Sequence, residues 1–248
     1  MRYALISDIH SNLPALEAVL GHLEFQRIDA YICCGDIVGY GPWPNECVNI
    51  MKELAQKTKL FMVVGNHDWA AVELEDISKF NEDARQAIIW TRGQLSPENK
   101  QYLKELPYIL QEPAFTVVHG SPYDPLDEYV LDEKVFKRSL EYLKTELCFI
   151  GHTHKPFSFF AGAEMGIGGE ALADEVMILL DDMARHMVNI GSVGQPRDSD
   201  ARACFGIFDD QEKNIIIKRI EYDILKTQEK MKEYGLPVFL VERLNKGI

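Results

Sequence analysis

The chain has 248 residues, 46% hydrophobic and 26% charged, which predicts a packed globular core and excludes a disordered composition. Its formal net charge of -13 argues against stable nucleic-acid binding and against attachment to an anionic membrane surface. No apolar run reaches the roughly 18 residues that span a bilayer. The N-terminus lacks a signal-peptide core, and the five cysteines form no Cys-x-x-Cys pair. Together these features predict a reduced, cytoplasmic protein.

In chain order, residues 2–7 read as a buried strand. Asn12 suits a helix N-cap with Pro14 in the first turn. Leu16, Val19, Leu20 and Leu23 then form the apolar stripe of that helix. A second strand is predicted at 30–34, a loop at Gly39-Tyr40-Gly41-Pro42, a helix from about Asn45 to Gln56 and a third strand at 59–64. This strand–helix–strand rhythm predicts βαβ units and a parallel sheet. Residues 69–106 read as less regular helix, with Ser96-Pro97-Glu98 as a helix start. Strands resume near 108–110 and 114–118, followed by an amphipathic helix at 132–145 and a strand at 147–150. Past His154, short apolar runs at 157–160, 175–180, 186–190, 203–208 and 214–220 predict a mostly antiparallel second sheet. The glycine-rich stretch 162–169 is expected to be a mobile surface loop, and a helix near 223–233 closes the fold. No repeat or interdomain linker is visible, so one domain over 1–248 is expected.

Five polar clusters directly follow apolar runs: Asp8-Ile9-His10, Gly35-Asp36, Gly65-Asn66-His67-Asp68, His119-Gly120 and Gly151-His152-Thr153-His154. Five of the seven histidines lie in them. In open α/β sheets, ligands bind outside the carboxyl ends of the strands, so clusters remote in sequence can converge there. Asp8 and His10, like His152 and His154, are two residues apart, which in extended backbone points both side chains the same way. Asp8, His10, Asp36, Asn66, His119, His152 and His154 are too many nitrogen and oxygen donors for one tetrahedral zinc. They suit two divalent ions sharing a carboxylate. Four positive charges against the two aspartates leave a site that attracts phosphate despite the acidic surface.

The order Asp-x-His, Gly-Asp, Gly-Asn-His-Asp, His, Gly-His-x-His closely resembles the calcineurin-like metallophosphoesterases, over residues 3 to about 198 and by layout over the whole chain. Ser-Asp-Ile-His-Ser-Asn-Leu-Pro-Ala-Leu near the start and residues 189–198 resemble the small prokaryotic branch of that family. The resemblance implies a four-layer αββα sandwich, an α/β fold of two mixed β-sheets flanked by helices, with a dinuclear metal site at the carboxyl ends of the strands. It implies that Asp8, His10 and His154 hold one ion, that Asn66, His119 and His152 hold the other, and that Asp36 bridges them. His67 matches the non-ligand histidine that stabilises phosphate or protonates the leaving group, with Asp68 orienting its ring and raising its pKa. The implied activity is metal-dependent hydrolysis of phosphodiester or phosphomonoester bonds in a small molecule or nucleotide, through a metal-bridging hydroxide. The cofactors are two divalent transition-metal ions, Mn²⁺ first, with Fe, Zn, Ni or Co as the other fits. A non-enzymatic scaffold or regulatory protein on the same fold is the alternative.

Three further residues are candidate substrate contacts, each with a structural alternative. Arg197 can bind a phosphate bidentately or pair with Asp198 or Asp200. Asn12 can face the site or only cap its helix. Tyr40, with Trp43, can stack a nucleobase or serve packing. Tyr123, Asp124 and Asp127 lie in a polar loop that can bear on substrate access, while His22 and His186 read as structural. The apolar stretch Val238-Phe239-Leu240-Val241 reads as core or interface.

Overall fold

The structure is a computed structural model that describes residues 1–164 and 166–248. Two six-stranded mixed sheets stack face to face, with helices outside each. The first sheet has the order β3(Lys59–Met62), β2(Ala30–Cys33), β1(Arg2–Ile6), β11(Ala203–Asp209), β12(Asn214–Ile220), β9(Met177–Leu179). The second has the order β4(Ile109–Gln111), β5(Thr116–Val118), β6(Leu147–Ile150), β10(Ala184–Asn189), β7(Phe157–Gly162), β8(Gly166–Ala171). Strands β1, β2 and β3 are parallel, as are β5, β6 and β10. The remaining neighbours are antiparallel.

Strand alternation explains the layering. In β1, Tyr3 and Leu5 turn toward the second sheet and pack with Phe115, Val117 and Phe149. Ala4 and Ile6 turn the other way, onto Leu16 and Val19 of α1(Leu13–Leu23) and Val48 and Met51 of α2(Pro44–Lys57). In β6, Leu147 and Phe149 face the intersheet core, while Cys148 and Ile150 pack against Phe136 of the helix Glu133–Leu140. This is the expected four-layer arrangement.

Four expectations need correction. The runs after His154 do not form a separate sheet: β7, β8 and β10 complete the second sheet, while β9, β11 and β12 complete the first. Stretch 162–169 is not a loop. Gly162 ends β7, and Gly166 begins β8, which pairs with β7 from Phe157↔Ala171 to Gly162↔Gly166. Met165 lies outside the described residues. Phenylalanine rings of β7 lie across two of these glycines, since a Cβ on Gly168 would stand 2.7 Å from Phe160 and one on Gly169 would stand 2.6 Å from Phe157. The helix expected at 132–145 ends at Leu140. Finally, a further helix, Val238–Arg243, follows the helix Ile224–Glu233, and its Leu240 and Val241 are core while Val238 and Phe239 are exposed.

Phe149 is fully buried between the sheets, edge-on to Phe115 at a 5.7 Å ring separation. Phe149→Ala is expected to cost about 3–5 kcal/mol, because the clamped sheets cannot close the cavity. Urea denaturation checks this as a fall in the unfolding midpoint at unchanged m-value.

Candidate metal centre

All five clusters follow the carboxyl ends of parallel strands: β1 leads to Asp8, β2 to Asp36, β3 to Asn66, β5 to His119, and β6 to His152 and His154. The backbone there is not extended. Asp8, His10, Asp36, His152 and His154 all have positive φ, between 48° and 66°. The convergence of each i, i+2 pair therefore comes from left-handed turns, not from strand alternation. Such conformations persist where surrounding contacts over-determine them. Here His10 N–H donates to Asp36 O at 2.9 Å, Asp8 N–H to Gly35 O at 3.0 Å, and His152 N–H to the Asp8 carboxylate at 3.2 Å. Two glycines make room for the carboxylates. A Cβ on Gly65 would stand 2.0 Å from Asp36 Oδ1, and one on Gly151 would stand 2.6 Å from Asp8 Oδ2.

Two donor groups result, Asp8–His10–Asp36–His154 and Asp36–His119–His152, each with its ligand atoms within 4.8 Å of one another. Asp36 belongs to both. His10 Nε2 and His154 Nε2 are 3.0 Å apart, as are His119 Nε2 and His152 Nδ1. Each other ring nitrogen lies against a backbone carbonyl: His10 Nδ1 on Val38 O at 3.1 Å, His119 Nδ1 on Cys34 O at 2.8 Å, His154 Nδ1 on Gln195 O at 2.6 Å, and His152 Nε2 on Asp127 O at 3.1 Å. We assign the N–H to that nitrogen in each ring, because a carbonyl only accepts. When both rings of a pair are neutral, the facing nitrogens are then lone pairs aimed at one another, which repel unless a cation lies between them. Two nitrogens about 2.1 Å from one ion and at right angles lie about 3.0 Å apart. Donation of the second ring N–H to a carbonyl is also how metal-bound imidazoles are usually oriented. Among the described residues, Asp36 Oδ2 and Asn66 Oδ1 are buried acceptors without a hydrogen-bond partner. The donor set therefore fits divalent ions.

The electrostatics agree for three of the four imidazoles. Burial holds His10, His152 and His154 well below the ordinary imidazole pKa, so they are neutral donors. Burial also opposes charge on His119, but Asp36 and Asp8 beside it raise its pKa to about 9. Burial works against the Asp36 carboxylate too, yet His119 and His67 hold its pKa well below the usual range. Burial raises Asp8 to about 7, with His119 opposing and Asp36 adding to the shift.

Asp8 is steadied by Ser7 Oγ at 2.6 Å, and its carbonyl accepts from Ser192 Oγ at 2.8 Å. Asn189 Nδ2 donates to Gly151 O and to Thr153 Oγ1, holding the last cluster in place. A cavity of about 700 Å³ opens over the centre, lined by Asn66, His67, His152, Tyr129 and Arg197 among others.

The secondary candidates sort differently from expectation. Asp68 does not orient His67. Its Oδ1 accepts from Val38 N–H at 2.9 Å and its Oδ2 from Gly65 N–H at 3.0 Å, so it ties two ligand-bearing loops together. Burial lowers the His67 pKa to about 4, contrary to the expected rise. His67 Nδ1 is buried without a partner beside Gly39, where a Cβ would meet it at 2.6 Å. Asn12 is spent inside the fold: Oδ1 caps α1 through Ala15 N–H at 3.4 Å and accepts from Thr227 at 3.0 Å, while Nδ2 donates to Gly194 O at 2.8 Å. Tyr40 lines the cavity but is only 6% exposed, with ring contacts to His10 at 4.6 Å and His67 at 4.4 Å, which leaves little of its ring for a base to stack on. Trp43 precedes α2 and does not line the cavity. Arg197 makes no ion pair with Asp198 or Asp200, which pair instead with Arg219 and Arg202. It donates to Gln195 Oε1 at 2.8 Å and Tyr40 Oη at 3.3 Å and faces the cavity. Asp124 and Asp127 line the cavity, whereas Tyr123 packs on Tyr142. His22 packs on Phe205, and His186 Nε2 accepts from Asp181 N–H at 3.1 Å. All five cysteines are unpaired, and burial raises each thiol pKa, so none is a thiolate at neutral pH. Sequence reasoning missed Tyr129, which stacks on His152 at 3.9 Å, and the carbonyls that orient the imidazoles. Backbone carbonyls carry no sequence signal, and Tyr129 sits in a loop without a motif.

Fold and centre together define a metal-binding phosphoesterase. Residues 1–156 match the family model described as calcineurin-like phosphoesterase, and the chain belongs to that family. It is a hydrolase acting on phosphate esters, and the family uses divalent metals. An uncharacterized protein of Methanocaldococcus jannaschii is 40% identical, covering 98% of this chain and 97% of its own. A metallophosphoesterase from Sphaerobacter thermophilus superposes with a TM-score of 0.88 at 41% identity, covering 100% of this chain and 99% of that one. A hypothetical protein from Pyrococcus horikoshii shares the fold, with a TM-score of 0.80 at 23% identity, covering 100% of this chain and 98% of that one. No helix among the described residues is long and apolar enough to cross a membrane.

Two outcomes follow. Metal needs neutral His119, which is protonated below about pH 9, so Mn²⁺ binding at pH 7 should release protons and tighten as pH rises toward 9. Calorimetry in buffers of different ionisation enthalpy counts those protons. Gly65→Ala should displace Asp36 and lower bound metal per chain severalfold, read by elemental analysis of the purified protein.

Proposed function

We propose that this protein hydrolyses phosphomonoester or phosphodiester bonds of a small phosphorylated molecule or nucleotide at a two-metal centre. The observation that carries the reading is the pair of donor groups sharing Asp36, with all four imidazoles pre-set by backbone carbonyls. Asp8, His10, His154 and Asp36 would hold one ion; Asp36, His119, His152 and Asn66 would hold the other. Mn²⁺ is the first choice, with Fe, Zn, Ni and Co also suited to the same donors. Divalent ions in such a pair supply Lewis acidity toward phosphoryl oxygens and acidify water.

The chain's own residues do the rest. The cavity of about 700 Å³ has the size of a small-molecule site. Arg197 offers a guanidinium to a phosphoryl oxygen, steadied by Tyr40 and Gln195. We assign neutral His67 its proton on Nε2, since Nδ1 is enclosed beside Gly39 with no acceptor for an N–H among the described residues. His67 Nε2–H then donates a hydrogen bond, and at need its proton, to the departing oxygen. The backbone supports this placement, because His67 N–H donates to Asp36 Oδ1 at 2.9 Å.

With Mn²⁺ supplied, p-nitrophenyl phosphate or its bis ester should be turned over, and EDTA should abolish the turnover. Asp36→Ala should lose both metal and activity. His67→Ala should keep its metal while kcat falls about 10²–10⁴-fold, which separates proton donation from metal holding. Undiminished turnover by Asp36→Ala contradicts the two-metal reading.

A further inference from the structure

The same cavity carries a second arginine that this reaction does not use. Arg243, the last residue of the helix Val238–Arg243, lines it together with Arg197, His67 and Asn66. Its Nε donates to Ile248 O, and its guanidinium lies 5.2 Å from the Phe239 ring centroid. Among the described residues, no Asp or Glu side chain lies within ion-pairing distance of Arg243 or Arg197, whereas other arginines have such a partner.

The cavity's carboxylates are engaged elsewhere. Glu75 and Asp127 share Lys79 at 3.4 and 3.6 Å. Asp76 accepts from Ser78 N–H and Oγ at 2.9 and 2.7 Å. Asp124 accepts from Leu126 and Asp127 N–H at 3.4 and 3.3 Å. Lys79 is thereby paired, and the two guanidiniums are the cations of the side-chain lining that no Asp or Glu among the described residues pairs directly. Burial, with Arg197 adding, lowers the Arg243 pKa to about 10, so it remains charged at neutral pH. Two guanidiniums on one cavity wall offer two separate donor forks to an anionic ligand. One phosphoryl group at the metal centre, held by Arg197, makes no call on Arg243.

We propose that Arg243 binds a second anionic group of the substrate, so that the substrate is a small molecule bearing at least two phosphates, one of which is cleaved at the metal centre. This rests on the phosphoesterase reading above. A guanidinium suits the task because its planar donors match phosphate bidentately, which an ammonium does not. The fork also stays positioned by its Nε bond to Ile248 and by Phe239.

Hydrolysis-proof phosphonates test this independently of turnover. Calorimetric titration of the Mn²⁺-loaded protein would compare methylphosphonate with diphosphonates whose two groups are separated by one to four methylenes. At least one diphosphonate is expected to bind tenfold or more tighter than methylphosphonate, as a charged hydrogen-bonded contact warrants. In Arg243→Gln that ratio should fall toward unity, and in Arg243→Lys it should recover in part. No diphosphonate advantage in the unaltered protein, or an advantage that survives Arg243→Gln, overturns the proposal. Because the wild-type ratio already decides between the two, misfolding of a variant does not protect it. Absence of ester turnover in the earlier assay would count against the phosphoesterase reading without altering these binding ratios.

Discussion

The structure turns on one electrostatic constraint: two carboxylates and four imidazoles are buried against one another where two sheets meet. Asp8 and Asp36 are essentially inaccessible, as are His10, His119 and His154. Burying ionised carboxylates is costly, and imidazole lone pairs 3.0 Å apart repel. A protein that keeps such an arrangement needs positive charge at its centre. The raised pKa of His119 lets a proton meet part of that need, and divalent ions would meet it more fully.

Much of the architecture follows from meeting this constraint. The parallel strands of both sheets deliver their carboxyl ends to one edge, so that His119 of the second sheet can bind the Cys34 carbonyl of the first. The tight turns that carry the ligands run through left-handed backbone at Asp8, His10, Asp36, His152 and His154. Glycines 65 and 151 let the neighbouring loops close onto the carboxylates. Asp68 and Asn189 then tie those loops together without reaching the cavity. Beyond the donors, Arg197 and Arg243 place two guanidiniums on the cavity wall, where an anionic substrate can meet them.

The ligand clusters were legible because chemistry-bearing residues followed apolar strands in a fixed order, and the helices because caps such as Asn12 and Ser96 preceded apolar stripes. The glycine-rich β8 was not legible, since its pairing with β7 depends on a neighbour and not on local propensity. The distribution of later strands between two sheets was hidden for the same reason. At the site, adjacency misled: Asp68 follows His67 in sequence, but a helical turn sends its carboxylate to the backbone of Gly65 and Val38. Tyr40 was a plausible stacking platform until packing buried its faces against two histidines. Arg243 lay beyond every motif, and only the return of the C-terminal helix to the cavity gives it meaning.

The central claim is that the Asp36 carboxylate joins two metal ions. An anomalous difference map from crystals grown with Mn²⁺ tests it most directly. The account predicts two peaks about 3.5–4 Å apart on either side of Asp36, one against Asp8, His10 and His154 and the other against Asn66, His119 and His152. A single peak, or metal bound elsewhere with these side chains unchanged, would contradict it.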